Sequence, residues 1–296
     1  MLQYNVLEMI KMQKLNYENL SLAVKNFKKS YSNAKVFSLG RSVANRRIYC
    51  LGLGTLRRSR LYVGGTHGSE WLTTLALLRF ANSLAENEAL YDQLENCGVM
   101  IVPCLNPDGC EIATMGLEGA HPKENFIKRI SKGDYAHYNA NLNGVDINHN
   151  FNAGFEKLKE LEREKGITSP APRQYGGEYP ESEPETHALC TLCNLFEPEM
   201  AFSLHSQGEE IFYTYENYTP KESEKMAKKL AKVSGYAINE QSHLASHGGF
   251  KDWFLKEKHR PAFTIEMGKG ENPLDINDFE KFYEKLKPLL DETLNL

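Results

Sequence analysis

Residues 59–84 read SRLYVGGTHGSEWLTTLALLRFANSL, and the way this stretch folds settles the architecture around it. "SRLYV" is short, apolar and β-favouring, whereas from about residue 69 to 87 the apolar residues recur at helical spacing. Gly64 and Gly65 punctuate the boundary, and His67 and Glu70 stand three residues apart where the strand ends and the helix begins. That offset turns both side chains to one side of a helix start. Strand-to-helix junctions are also where α/β proteins tend to place their chemistry.

Outward from this junction the alternation continues. Residues 16–29 read as a helix, "AKVFSL" and "RRIYCLGL" as paired strands, and "GVMIVPCLN" (98–106) as a buried strand. Two polar stretches, 107–147 and "GITSPAPRQYGGEYPES" (166–182), read as loops, and loops of that length in a compact domain are usually functional. A helix near 155–165 lies between them. A second helix follows over "SEPETHALCTLCNLF", with Ser182 as its expected N-cap. "EMAFSLHS" and "EEIFYTY" are strands, 221–235 an amphipathic helix, "GFKDWFLKEKH" a short helix, "PAFTIEM" a buried strand and 277–294 a closing helix. The expected class is α/β, a mixed or mostly parallel sheet with helices on both faces.

Composition narrows the function classes. With 41% hydrophobic and 25% charged residues the 296-residue chain has material for a large globular core. A net charge of −4 with interspersed signs argues against nucleic acid or an anionic membrane as partner. No apolar run approaches the roughly 20 residues that cross a bilayer. The N-terminal stretch, interrupted by Glu8 and Lys11, lacks the cationic start and apolar core of an export signal, so the expected location is cytoplasmic. Six scattered cysteines suit reduced thiols, and the Cys190–Cys193 pair lies inside a helical run, where buried packing is the expectation.

His67 and Glu70 can supply two ligands to zinc, which accepts mixed histidine and carboxylate donors and in catalytic sites commonly keeps three. His205 ends the apolar strand "MAFSL", and Glu266 follows "PAFTI" in the same way. An acid at the end of a buried strand is costly unless paired or put to use.

Seven motifs, "HGSE", "VPCLNPDG", "GVDINHNF", "PESEPET", "SLHSQGE", "GGFKDW" and "FTIEMG", occur in the order found in the zinc carboxypeptidase family, and span residues 62–270. The chain resembles that family, most of all its bacterial γ-D-glutamyl-meso-diaminopimelate peptidase branch. The resemblance implies a three-layer α/β/α domain over 34–296, with a sheet of about eight strands and a helical extension at 1–33. It implies one zinc ion per chain on His67, Glu70 and His205, Glu266 as catalytic glutamate, and Asn148 gripping the substrate's terminal carboxylate. The implied substrate is a muropeptide stem peptide.

Departures from the pancreatic pattern lie at the substrate-binding positions. The residue after Asn148 is His149 where an arginine is usual, so a bidentate clamp becomes a single bond. The expected tyrosine is Leu244, with His243 or His247 as substitutes. For the oxyanion cation the segment "FIKRISK" offers Lys128, Arg129 and Lys132, with Arg129 preferred. The specificity position is Lys251, which should attract an acidic group. Two other readings remain at this stage: a zinc deacylase of the aspartoacylase type, and a catalytically weak peptide-binding relative.

Overall fold

Three adjacent strands, buried almost throughout, form the heart of the sheet: β3 (Arg60–Val63), β5 (Met200–His205) and β8 (Ala262–Glu266). They run parallel, in a computed structural model that describes residues 15–239 and 247–296. Strands covered on both faces need near-continuous apolar sequence, which is what "RLYV", "MAFSL" and "AFTI" provide. Outside them lie β1 (Lys35–Arg41), β2 (Arg47–Leu53) and β4 (Val99–Val102) on one side, with β6 (Glu210–Phe212) and β7 (Ala237–Ile238) on the other. The order is β1-β2-β4-β3-β5-β8-β6-β7. Pairings β1–β2, β2–β4 and β6–β8 are antiparallel and the rest parallel.

Each face of the sheet carries helices, so the fold has three layers. On one face α1 (Tyr17–Ser30), α2 (Leu72–Glu86), α8 (Ser223–Ser234) and α10 (Phe279–Glu292) share a core with Tyr62, Phe202 and Phe263. Those three rings sit in register across β3, β5 and β8 and stack, with centroids 5.1 and 5.4 Å apart. The opposite face packs α7 (Pro184–Phe196) and α9 (Phe250–Lys258) against Leu61, Val63, Ala201 and Ala262. Cys190 and Cys193 are buried in α7, and all six cysteines are unpaired. No described helix is long and apolar enough to cross a membrane. Part of the expected N-terminal extension, residues 1–14, lies outside the described residues; α1 buries Leu20, Ala23, Val24 and Phe27 in the shared core.

The local reading needs three corrections. Residues 107–147 are not one loop, because α4 (Pro107–Met115) and α5 (Glu124–Ser131) form within them. Asn106 caps α4 by accepting the Gly109 N–H at 2.8 Å, and Pro107 occupies the first turn. Ser182 does not cap α7: the cap position is Glu183, and the Ser182 hydroxyl accepts from Asn150 Nδ2 at 2.9 Å and donates to Glu183 at 2.9 Å. Finally, the segment after His67 makes a tight 3₁₀ turn at Gly68–Glu70 before α2 begins. The remaining helices, α3 (Tyr91–Asn96) and α6 (Phe155–Glu164), lie at the periphery of these contacts.

Candidate metal centre and active site

The turn that carries His67 and Glu70 is gripped from two sides. Gly65 adopts φ +56°, a left-handed conformation that favours glycine, and its N–H donates to Thr73 Oγ1 at 2.9 Å. That hydroxyl donates in turn to the Glu70 carbonyl at 2.8 Å. A Cβ on Gly68 would lie 2.4 Å from the carbonyl oxygens of Gly109 and Tyr138, so only glycine fits. His205 ends β5 in register with Glu266, the last residue of β8. The four side chains therefore meet at the carboxyl ends of three adjacent strands.

His67, Glu70 and His205 place one ligand atom each within 4.8 Å of one another. His67 Nδ1 lies 2.9 Å from Glu70 Oε1, His205 Nδ1 lies 2.9 Å from Glu70 Oε2, and the two Nδ1 atoms are 3.2 Å apart. The other ring nitrogens are occupied from behind. His67 Nε2 faces Asp146 Oδ1 at 3.1 Å, and His205 Nε2 faces the Ser203 hydroxyl at 3.1 Å. With those nitrogens carrying the proton, two lone pairs and a carboxylate converge with no donor between them, a cradle suited to a cation. Two imidazoles and a carboxylate are the donor set of a catalytic zinc site.

The charges agree. Burial works against a charged imidazole, yet Glu70 and Asp146 hold the His67 pKa well above its ordinary value. Burial likewise opposes ionisation of Glu70, but His67 and His205 bring its carboxyl down to about 2. Asp146 is fully ionisable despite its burial, held below the ordinary range by His67 and His149. Glu266 behaves in the opposite way: burial, and then the negative charge of Glu70, push its carboxyl well above the usual carboxylate range. A divalent cation between the ligands would oppose that rise.

Glu266 faces an open cleft of about 500 Å³, whose wall includes Ser206, Phe212, Arg173 and Asn272. Asn272 ties this wall to the ligands. Its Nδ2 donates to the Ser206 carbonyl at 2.5 Å and reaches Glu70 Oε1 at 3.4 Å, while Ser206 Oγ donates to Asn272 Oδ1 at 2.8 Å.

The zinc carboxypeptidase family profile matches residues 22–295. The chain belongs to the zinc carboxypeptidase family. It is 30% identical over 287 residues to γ-D-glutamyl-L-diamino acid endopeptidase 1 of Lysinibacillus sphaericus, covering 92% of this chain and 70% of that protein. It is 31% identical over 153 residues to murein peptide amidase A of Escherichia coli, covering 50% of this chain and 49% of that protein. The solved carboxypeptidase A of Helicoverpa armigera superposes with a TM-score of 0.72 at 18% identity, over 94% of this chain and 72% of that one, which shows the shared fold. The chain is thus a hydrolase of a zinc-dependent metallopeptidase family, and the His67–Glu70–His205 group is its metal-binding candidate among the described residues.

Other residues singled out in the sequence fall into two groups. Asn148 is close to the centre: its N–H reaches Asp146 Oδ1 at 3.2 Å, and its Oδ1 accepts the Phe250 N–H at 3.1 Å. His149 is buried beside it, with Nδ1 donating to the Gln174 carbonyl at 3.2 Å. Lys251 is 3% exposed; its Nζ donates to the Thr214 carbonyl at 2.6 Å and pairs with Asp252. His247 packs edge-on against Tyr215, and its buried Nδ1 has no partner among the described residues.

Arg129 does not join the site. It lies exposed on α5 with its guanidinium over the Phe126 ring, and the arginine that lines the cleft is Arg173. The amphipathic spacing of α5 explains this, since Ile127 and Ser131 are its buried positions. Leu244 and His243 lie outside the described residues. Sequence reasoning missed Asp146, Arg173 and Asn272. Asp146 was legible in principle, because ligating histidines usually donate their second N–H to a carboxylate and "GVDINHN" carries one.

Proposed function

We propose that this hydrolase cleaves the amide between a γ-D-glutamyl residue and meso-diaminopimelate in peptides derived from the cell wall, using one zinc ion held by His67, Glu70 and His205. The observation that carries the reading is the meeting of that trio with Glu266 at the strand ends, in a chain 30% identical to an endopeptidase named for γ-D-glutamyl-L-diamino acids. When bound, zinc supplies Lewis acidity that polarises the scissile carbonyl and acidifies a water. Glu266 takes the water's proton on its carboxylate and hands it to the nitrogen of the leaving amine, which needs one group within reach of both.

Substrate positioning falls to side chains nearby. Asn148 has its Oδ1 committed to the Phe250 N–H, which fixes the amide plane and leaves Nδ2 as a donor for the substrate's carboxylate. His149, with Nδ1 committed to Gln174, leaves Nε2 as its one free ring nitrogen, a donor to a carboxylate only as the imidazolium, where the pancreatic pattern has a bidentate arginine. Diaminopimelate carries an ammonium and a carboxylate at its far end. The buried Lys251–Asp252 pair suits a zwitterion, since Asp252 Oδ2 lacks a partner among the described residues, as does His247 Nδ1. The same reading places the enzyme in the cytoplasm on recycled wall peptides, supported by its six unpaired thiols, and native protein recovered outside the membrane would exclude it.

The test is mass spectrometry of L-Ala-γ-D-Glu-meso-diaminopimelate incubated with the purified protein, with and without a chelator, alongside Glu266→Gln. Release of free diaminopimelate, abolished by the chelator and by the substitution, is the expected outcome. Absence of release by zinc-loaded protein refutes the reading.

A further inference from the structure

Arg173 lines the same cleft as Glu266, and among the described residues it is the one arginine or lysine that does so. Its guanidinium makes no hydrogen bond or close ion pair among the described residues, and its charge reaches only as far as Asp134, whose carboxyl is held low chiefly by His137 and to a lesser degree by Arg173. The wall also carries three acids, Glu210, Glu266 and Glu271, and one histidine, His137. Such a surface repels an anionic substrate group unless a cation stands opposite.

The backbone around Arg173 is clamped on both sides. The Pro172 carbonyl accepts the N–H groups of Asn139 and Ala140 at 2.9 and 3.0 Å. Gln174 adopts the left-handed φ of +66°, donates its N–H to Asp146 Oδ2 at 2.8 Å, and accepts from His149 Nδ1 at 3.2 Å. Asp146 is the carboxylate that also faces His67 Nε2. The base of the Arg173 side chain is therefore fixed relative to the metal ligands through two hydrogen bonds, while its head stays exposed at the cleft. An exposed guanidinium that touches no metal ligand is poorly placed for an oxyanion and well placed for a charged group farther out on the substrate.

We infer that Arg173 is a specificity-determining residue that binds the free α-carboxylate of the γ-linked glutamyl residue on the N-terminal side of the scissile bond. The inference rests on the γ-glutamyl reading above. In a γ-glutamyl amide the scissile carbonyl ends the side chain, so the α-carboxylate remains free, four bonds beyond the carbonyl carbon. A residue linked through its α-carboxyl has no carboxylate there unless it is itself a glutamate. Arginine matches a carboxylate bidentately, which makes it a discriminator between a residue that carries a free carboxylate there and one that does not.

The experiment compares L-Ala-γ-D-Glu-meso-diaminopimelate with its α-carboxamide counterpart, in which the glutamyl residue is D-isoglutamine. Both are assayed with the zinc-loaded parent, Arg173→Gln and Arg173→Lys. The parent is expected to favour the free acid by about 10- to 100-fold in kcat/KM. Arg173→Gln should lose that preference, chiefly through KM for the acid, with the carboxamide unchanged, and Arg173→Lys should restore part of it. Equal losses on both peptides would overturn the inference by placing Arg173 on atoms they share, and an unchanged preference in Arg173→Gln would overturn it directly; the γ-glutamyl reading survives either result. No release from either peptide by the parent would overturn that reading and the inference together.

Discussion

Asp146→Asn is the most informative single change at the metal centre. Asp146 Oδ1 faces His67 Nε2 at 3.1 Å and accepts the Asn148 N–H at 3.2 Å, while Oδ2 accepts the Gln174 N–H at 2.8 Å. An asparagine has one oxygen for these two sides. With its amide nitrogen towards His67, Nε2 must become an acceptor, the ring proton moves to Nδ1, and the atom facing Glu70 can no longer ligate. Turned the other way, the amide nitrogen opposes the Gln174 N–H, leaving a buried donor unmatched at about 1–3 kcal/mol. The lost carboxylate also lowers the basicity of the His67 ligand. Removing such an outer partner typically costs about 10- to 100-fold in metal affinity, or about 1.4–2.7 kcal/mol. Competition with a chromophoric chelator gives the zinc dissociation constant, and thermal unfolding of the zinc-free protein gives the stability. A variant that binds zinc within about threefold of the parent, and is equally stable, would refute the claim that Asp146 sets the His67 tautomer.

Two further predictions concern stability. Burial, and then the charge of Asp108, push the Glu185 carboxyl up to about 8 from an ordinary 4.5. The folded state thus holds a proton that the unfolded chain releases, and stability fully present below about pH 4.5 is lost as pH rises to about 8, at up to about 1.4 kcal/mol per unit. Glu185→Gln should flatten that slope in urea titrations at pH 5 to 8, and parallel curves for the two proteins would count against it. Gly68→Ala should destabilise by about 1–3 kcal/mol in urea, because its Cβ meets two backbone carbonyls at 2.4 Å; parental stability would show that the turn is not gripped as described.

The sequence by itself determined what depends on near neighbours. The apolar run at 60–63, the glycines after it and the helical spacing beyond produce strand, turn and helix, and the three-residue offset of His67 and Glu70 places both at the turn. His205 and Glu266 were equally legible, since an apolar strand that ends in a polar residue delivers it to the edge of the core. Boundaries were less secure where polar residues dilute the pattern. Helix α4 begins Pro-Asp-Gly and hid within an expected loop, although its Asn106 cap was a usable signal.

Only the tertiary structure decided which distant groups serve the site. Asp146 stands 79 residues from the histidine it faces, and Asn272 stands 202 residues from Glu70. Arg129 and Arg173 offer the same guanidinium, yet one rides the outer face of a helix and the other is held at the cleft by clamped neighbours. Spacing along the chain governs which side chains share a turn or a face. Which loop crosses which strand end is set by the packing of the two layers of helices on the sheet, and no local pattern encodes it.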